Sequence, residues 1–336
     1  MAQIHGLAAH AAGAELLPYH YEPGELSAHD VEIGISHCGI CHSDLHLISN
    51  DWGVSSYPFI PGHEIIGSVK AVGSHVHSFK IGDRVGLGWQ SNSCGECEWC
   101  IQGKENLCAK IEATCIGRHG GYADRVRANS RFVIPIPAAL ASENAAPLLC
   151  GGITVYNPLR EHEVSPASRV GIIGIGGLGH IAIQFAKVFG AEVTAFSTSP
   201  EKEKEARELG AHHFVNTRET RAIKDVAGKF DLIINTANAD QDWSLFIQAL
   251  RPTGTLVFVG VAPGALNLGS VFPLIAGQKG VAGSPIGSPT RIREMLDVAA
   301  RHGVKAQTES FPMSKANEAI DKVKKFKIRY RAVLAN

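Results

Sequence analysis

The chain has 336 residues, with 32 basic and 32 acidic side chains and a formal net charge of zero. That length accommodates two domains with separate cores, and the charge balance offers nothing for electrostatic capture of nucleic acid or an anionic membrane. The opening run MAQIHGLAAHAAGAELLPYH lacks the layout of a secretory signal, and no apolar run is long enough for a bilayer, so a soluble cytoplasmic protein is expected.

From residue 1 to about 145 the chain carries short β-rich runs, VEIGIS, GSVKAVG and ADRVRA, separated by Gly, Pro and polar turns. Within this half, GICHSDLH contributes Cys41 and His46, and PGHEIIG contributes His63 and Glu64. PLLCGGITVY adds Cys150 at its end. Each alone is more often a core thiol or a hydrogen-bonded imidazole. Together with a cofactor motif they suggest a catalytic zinc with three protein ligands and one open place. Asp44 could accept the second ring N–H of His63, although an ordinary turn or capping aspartate fits it as well.

SCGECEWCIQGKENLC sets Cys94, Cys97, Cys100 and Cys108 in a C-x2-C-x2-C-x7-C pattern. Two-residue gaps let thiolates converge on one tetrahedral ion, and four of them close its coordination shell, which makes this a structural zinc site. Disulfides and unmetallated thiols are the alternatives. A nucleic-acid-binding zinc ribbon is disfavoured because the loop holds Glu96, Glu98 and Glu105 against Lys104 alone.

From about 151 the texture becomes strand–helix–strand. RVGIIGIGG leads into HIAIQFAKVFG, then AEVTAFS, then SPEKEKEARELG, read as a helix with Ser199 as N-cap, Pro200 in the first turn and Gly210 past its end. FDLIINTA and GTLVFVGVA follow at crossover spacing for a parallel sheet. Gly174, Gly176 and Gly179 form G-x-G-x-x-G between strand and helix. The first allows the tight turn, the second lets a pyrophosphate approach, and the third lets helix and strand pack closely. At the end of the next strand, where NAD-selective sites place a carboxylate, stand Ser197, Thr198 and Ser199, with Lys202 nearby. Hydroxyls and a cation bind a 2′-phosphate that a carboxylate would repel, so NADP(H) is favoured. After about 288, TRIREMLDVAARHG and NEAIDKVKKF are amphipathic helices and RYRAVLAN a closing strand.

CGICHSDLH, NDWG, YPFIPGHEIIG, the four-cysteine lobe, PLLCGGITVY, GIGGLGH and RYRAVL occur in this order over nearly the whole chain. In this the sequence resembles the zinc-dependent medium-chain dehydrogenases/reductases of the cinnamyl alcohol dehydrogenase type, with a particular likeness to bacterial NADPH-dependent broad-range aldehyde reductases. The resemblance implies an α/β chain. A GroES-like catalytic domain at 1–150, with its structural-zinc lobe at 90–110, is followed by a Rossmann domain at 151–287 and a return segment at 288–336. It implies Zn2+ (two per chain), NADP(H), a small aldehyde or alcohol substrate and a homodimer.

Carried over residue by residue, it makes Cys41, His63 and Cys150 the catalytic-zinc ligands. Glu64 becomes a carboxylate able to enter the coordination shell, Ser43 the hydroxyl at the reacting oxygen, and His46 the outer end of a proton relay. Cofactor contacts would come from His42, Thr154, Gly174, Gly176, Gly177, Leu178, Gly179, Ser197, Thr198, Ser199, Lys202, Val259, Gly260, Gly283, Ser284 and Arg329. Trp52, Trp89 and Ile286 are candidate substrate walls. Ser43 replaces the threonine of the commonest plant pattern, and the segment between Cys108 and HGGYADRV is short. A zinc-free quinone or enoyl reductase and a non-catalytic NADP(H)-binding redox sensor are the rival classes; an NAD-preferring alcohol dehydrogenase is the rival within the family.

Overall fold

A computed structural model describes residues 3–260 and 264–336. The chain forms two compact units, Met1–Ile153 with Ile286–Asn336, and Thr154–Pro285. No helix among the described residues is long and apolar enough to cross a membrane.

In the first unit, the hairpin β1 (Ile4–Ala8) and β2 (Leu17–Tyr21) accompanies a seven-stranded sheet. Its strands are β3 (Asp30–Ile40), β4 (Ile65–Val72), β5 (Arg84–Leu87), β8 (Arg125–Asn129), β9 (Val133–Pro135), β16 (Thr308–Pro312) and β17 (Arg331–Ala335). The cysteine lobe is tied by a small ribbon, β6 (Gln90–Asn92) with β7 (Glu112–Ala113). The order β16-β17-β3-β4-β5-β9, with β8 also on β3, makes the closing strand a neighbour of β3. Ile33, Ile65, Val69, Tyr122, Val126 and Leu334 are buried in one core.

The second unit is a six-stranded parallel sheet of β10 (Arg169–Ile173), β11 (Glu192–Ser197), β12 (His213–Asn216), β13 (Phe230–Asn235), β14 (Leu250–Phe258) and β15 (Gly280–Gly283). Its order β12-β11-β10-β13-β14-β15 is the doubly wound Rossmann order, which reverses between β10 and β13. Strands such as VGII and LII are buried without alternation because a parallel sheet is covered on both faces. The expected strand GTLVFVGVA runs on to Val261 and Ala262, which lie outside the described residues.

Two local readings change. Ser199 opens the turn Pro200–Lys202 and the helix Glu203–Leu209, but its hydroxyl makes no capping bond; its N–H instead donates to Ser197 Oγ at 3.1 Å. The helix expected over NEAIDKVKKF spans Ala316–Lys324 and stops short of Phe326, which lies at φ 53°. A side chain in that left-handed region costs about 1–2 kcal/mol.

Glycine has different weight at two positions of the phosphate turn. A Cβ on Gly179 would run into the carbonyl of Gly174, whereas one on Gly176 would meet nothing within 4 Å. Gly179→Ala should therefore cost about 2–3 kcal/mol, and Gly176→Ala less than about 1 kcal/mol, read from denaturation midpoints.

Candidate metal centres and cofactor turn

The end of β3 delivers Cys41 to the mouth of the helix His42–Ser49, and β4 starts immediately after His63 and Glu64. Because β3 pairs antiparallel with β4, Cys38 opposite Ile65, the two segments leave the sheet side by side. Cys150 follows the turn Ala146–Leu149. One ligand atom from each of Cys41, His63, Glu64 and Cys150 lies within 4.8 Å of the others.

The donor chemistry fits a zinc ion. His63 Nδ1 donates to Asp44 Oδ1 at 3.0 Å, which leaves the lone pair on Nε2, and Nε2 is buried without a hydrogen-bond partner. Burial works against charge on this imidazole, but Asp44 and Cys150 outweigh it and hold its basicity well above the usual range. The site is thus one that attracts a cation. The sulfurs of Cys41 and Cys150 are 4.0 Å apart, and the hydrogen bond from Cys150 holds Cys41 well below the usual thiol range. Two sulfurs and one imidazole make a soft set suited to zinc, with the Glu64 carboxylate as the fourth member of the group.

Asp44 is met by donors on both of its oxygens. Oδ2 accepts from the Cys41 N–H at 2.9 Å, at the helix start, while Oδ1 accepts from the Gly62 N–H at 3.0 Å and from His63. The Tyr122 hydroxyl approaches Oδ2 at 3.3 Å. Glu64 is also buried, hydrogen-bonded to Arg331 through Oε1, with Oε2 unpartnered. Burial raises its carboxyl to about 7, against the pull of Arg331.

Ser43 Oγ lies 3.7 Å from Cys41 Sγ. Three residues on, His46 Nδ1 meets Asp51 Oδ2 at 2.7 Å, and its ring stacks on Trp52 at 5.3 Å. Trp52 in turn meets Trp89 at 6.4 Å, and Trp89 lies edge-on to His63 at 4.8 Å. The two tryptophans are therefore gathered beside the buried imidazole. Ile286 is not part of that chain of contacts; its carbonyl accepts from Asn106 Nδ2 at 3.1 Å.

In the lobe, Cys94, Cys97, Cys100 and Cys108 form a second group within 4.8 Å. Cys94 Sγ is 3.8 Å from Cys100 Sγ and 3.5 Å from Cys108 Sγ. Sulfurs about 2.3 Å from one tetrahedral ion stand ~3.8 Å apart, so these spacings suit an ion. All eight cysteines are free, which removes the disulfide alternative. The backbone N–H groups of Glu96 and Cys97 lower the Cys94 thiol to about 6.

In the second unit, Gly174 turns with φ 89°, and the helix Gly179–Val188 begins directly after Leu178. The open space beside Gly176, at the start of that helix, suits a close-lying phosphate. Ser197 ends β11, Thr198 is exposed beyond it, and Lys202 Nζ reaches back to the Ile175 carbonyl at 2.6 Å. Val259, Gly260, Gly283 and Ser284 lie at or just beyond the ends of β14 and β15, the Ser284 N–H donating to Phe258 O at 3.0 Å. Thr154 is buried on the helix Gly151–Glu161. His42 and Arg329 belong to the first unit, where the Arg329 N–H donates to Glu309 Oε1 at 2.9 Å.

Asp51, Tyr122 and Arg331 escaped the sequence reading. Asp51 follows the left-handed Asn50, outside any helical period. Tyr122 is brought to Asp44 by the fold, and Arg331 stood in RYRAVL with no partner visible until β17 lies beside β3.

The two cysteine groups should respond differently to loss of one thiol. Cys97→Ser should lower metal content by about one ion and reduce stability by about 3 kcal/mol or more, with surviving folded protein still active. Cys150→Ser should also lose about one ion, with turnover down by roughly a hundredfold or more and a melting curve near that of the parent.

Residues 27–138 match the family model described as alcohol dehydrogenase GroES-like domain, and residues 177–301 the one described as zinc-binding dehydrogenase. Aldehyde reductase AdhA of Synechocystis is 47% identical over 333 residues, covering 99% of each chain. Probable formaldehyde dehydrogenase AdhA of Bacillus subtilis is 44% identical over 317 residues, covering 92% of this chain and 90% of that one. Among solved structures, a cinnamyl alcohol dehydrogenase of Sorghum bicolor superposes with a TM-score of 0.95 at 39% identity, over 99% of this chain and 98% of that one. A Helicobacter pylori enzyme described as CAD complexed with NADP(H) gives 0.91 at 33% identity, with the same coverage of both. With relatives this similar along its whole length, the chain belongs to the zinc-dependent medium-chain dehydrogenases/reductases of the cinnamyl alcohol dehydrogenase type, and is a zinc alcohol dehydrogenase or aldehyde reductase.

Proposed function

We propose that this enzyme, a cytoplasmic homodimer, reduces a broad range of aliphatic and aromatic aldehydes to primary alcohols with NADPH, reversibly, and holds two zinc ions per chain. The observation that carries the reading is the partnerless His63 Nε2, buried in one donor group with two cysteine sulfurs. Cys41, His63 and Cys150 would hold a zinc ion, which would supply Lewis acidity toward the carbonyl, and NADPH would supply the hydride. Cys94, Cys97, Cys100 and Cys108 hold the second ion for stability alone.

The remaining work falls to the protein's own groups. As ligands, Cys41 and Cys150 would bring negative charge to the site as thiolates, while His63, its Nε2 proton displaced by the ion, would bring none. Ser43 Oγ donates a hydrogen bond to the substrate oxygen and passes its proton there as charge develops. His46 stands one helical turn away, half-exposed, and restores that proton from solvent. Asp51 fixes its tautomer by accepting from Nδ1, which leaves Nε2 for proton exchange. Glu64 keeps Oε2 free of hydrogen bonds and can take up a ligand place while small molecules exchange. Trp52 and Trp89 give the substrate apolar walls, and such walls discriminate by only about 1–3 kcal/mol per methylene, which favours breadth.

NADPH is favoured by the absence of a carboxylate across Ser197, Thr198 and Ser199 and by Lys202, held against the glycine turn. Dimerisation is supported by apolar exposure next to the edge strand β15: Val271 is 63% exposed, Phe272 70% and Ile275 71%.

Oxidation of NADPH and NADH against a panel of aldehydes tests the whole reading. NADPH should be preferred, and Lys202→Ala should raise its KM about tenfold while hardly changing that for NADH. A clear NADH preference, or no turnover with any aldehyde, would overturn it. His46→Ala should slow turnover at least about tenfold and alter the pH profile, with zinc content unchanged by metal analysis.

A further inference from the structure

Two exposed imidazoles, distant in sequence and outside the groups described above, converge at one edge of the first unit. His29 is the residue before β3, and His75 lies in the turn that follows β4. Their rings stand 4.9 Å apart at 63°, with Nδ1 of His75 3.4 Å from Nε2 of His29. As a hydrogen bond that contact is long, and between groups open to water it adds little. As a pair of metal ligands it has the right span. Nitrogens bound at about 2.0–2.1 Å to one tetrahedral ion stand ~3.4 Å apart.

The backbone beneath the pair is braced. The His75 N–H donates to Ala28 O and the Gly73 N–H to Asp30 O, each at 2.8 Å. His29 O accepts from the Ser130 N–H at 2.9 Å. The two loops meet so closely that a Cβ on Gly73 would run into Ser27 O and Ala28 O. Val31 pairs with Val72 just inside them, and Val76 is buried directly after His75. Both side chains therefore spring from fixed backbone, and little freedom is lost when an ion draws their nitrogens together. Their exposure lets an ion enter from solvent and lets water fill its remaining places.

We propose that His29 and His75 form a surface site for a divalent transition ion, Zn2+ or Ni2+, separate from the two cysteine groups. Imidazole nitrogen selects such ions over Mg2+ and Ca2+, which take oxygen ligands. The ion ties the start of β3 to the end of β4, at the opposite end of that strand pair from Cys41 and His63. It braces the unit and takes no part in the reaction, so the site is independent of the substrate and cofactor proposed above.

Untagged, zinc-loaded enzyme dialysed against Ni2+ tests it, with nickel and zinc both counted by metal analysis. The parent should take up about one Ni2+ per chain while keeping its zinc. With Ni2+ at about tenfold its dissociation constant, the melting temperature should rise by about 3 °C. His29→Gln and His75→Gln should each weaken this uptake at least about tenfold, with zinc content and turnover as in the parent. His20→Gln is the control, since its ring meets His5 at 6.0 Å in a wider pair of the same kind; it should bind nickel like the parent. No uptake by the parent, nickel gained only in exchange for zinc, a smaller loss in either variant, or a matching loss in His20→Gln overturns the proposal.

Discussion

The Asp44 carboxylate is fully buried, and both of its oxygens are engaged by donors from separate pieces of chain. The Cys41 N–H belongs to the strand-to-helix junction, Gly62 and His63 to the segment that enters β4, and Tyr122 to the run before β8. A buried carboxylate left without donors is costly, so satisfying Asp44 forces these pieces into one arrangement. The thiol of Cys41 and Nε2 of His63 are aimed as a consequence. Glu64 and Arg331 act in the same sense from the other side, because their pairing draws the closing strand to the site. A pair of opposite charges at this depth adds little net stability, but either partner alone would be strongly unfavourable. The pair therefore specifies register more than it strengthens the fold.

Much of this was legible beforehand because it is written in local patterns. Two-residue gaps between cysteines, glycines at a strand–helix turn and unbroken apolar strands are short-range signals, and the family, its α/β class and its Rossmann sheet follow from them together with the order of the motifs. Cys41, His63 and Cys150 carry no such pattern on their own. They came to notice through the motifs around them, and the fold brings them within reach because β3 pairs with β4. Asp51, Tyr122 and Arg331 were missed since each gains its meaning from a partner far away in the chain or past an irregular turn. Ser199 was read as a helix cap from residue type alone; the competing bond of its N–H to Ser197 Oγ and the intervening tight turn prevailed. Phe326 passed as the end of an amphipathic helix, since a left-handed backbone angle is invisible when the residue is not glycine.

The two cysteine groups also differ in how they are assembled, and the difference bears on their chemistry. Four thiols within fifteen residues close short loops, so an ion can gather them at small entropic cost even from flexible chain. Four thiolates are enough to fill a tetrahedral shell. The other set spans residues 41 to 150 and depends on sheet, helix and buried carboxylates already being in place. It holds two thiols, and a third would have to come from a neighbour. Cys115 is the nearest candidate, at 3.9 Å from His63, but it faces Nδ1, the nitrogen already committed to Asp44. The imidazole itself stands between that sulfur and the place beside Nε2. The same buried bonds that position Cys41 and His63 also keep this further thiol on the other side of the ring.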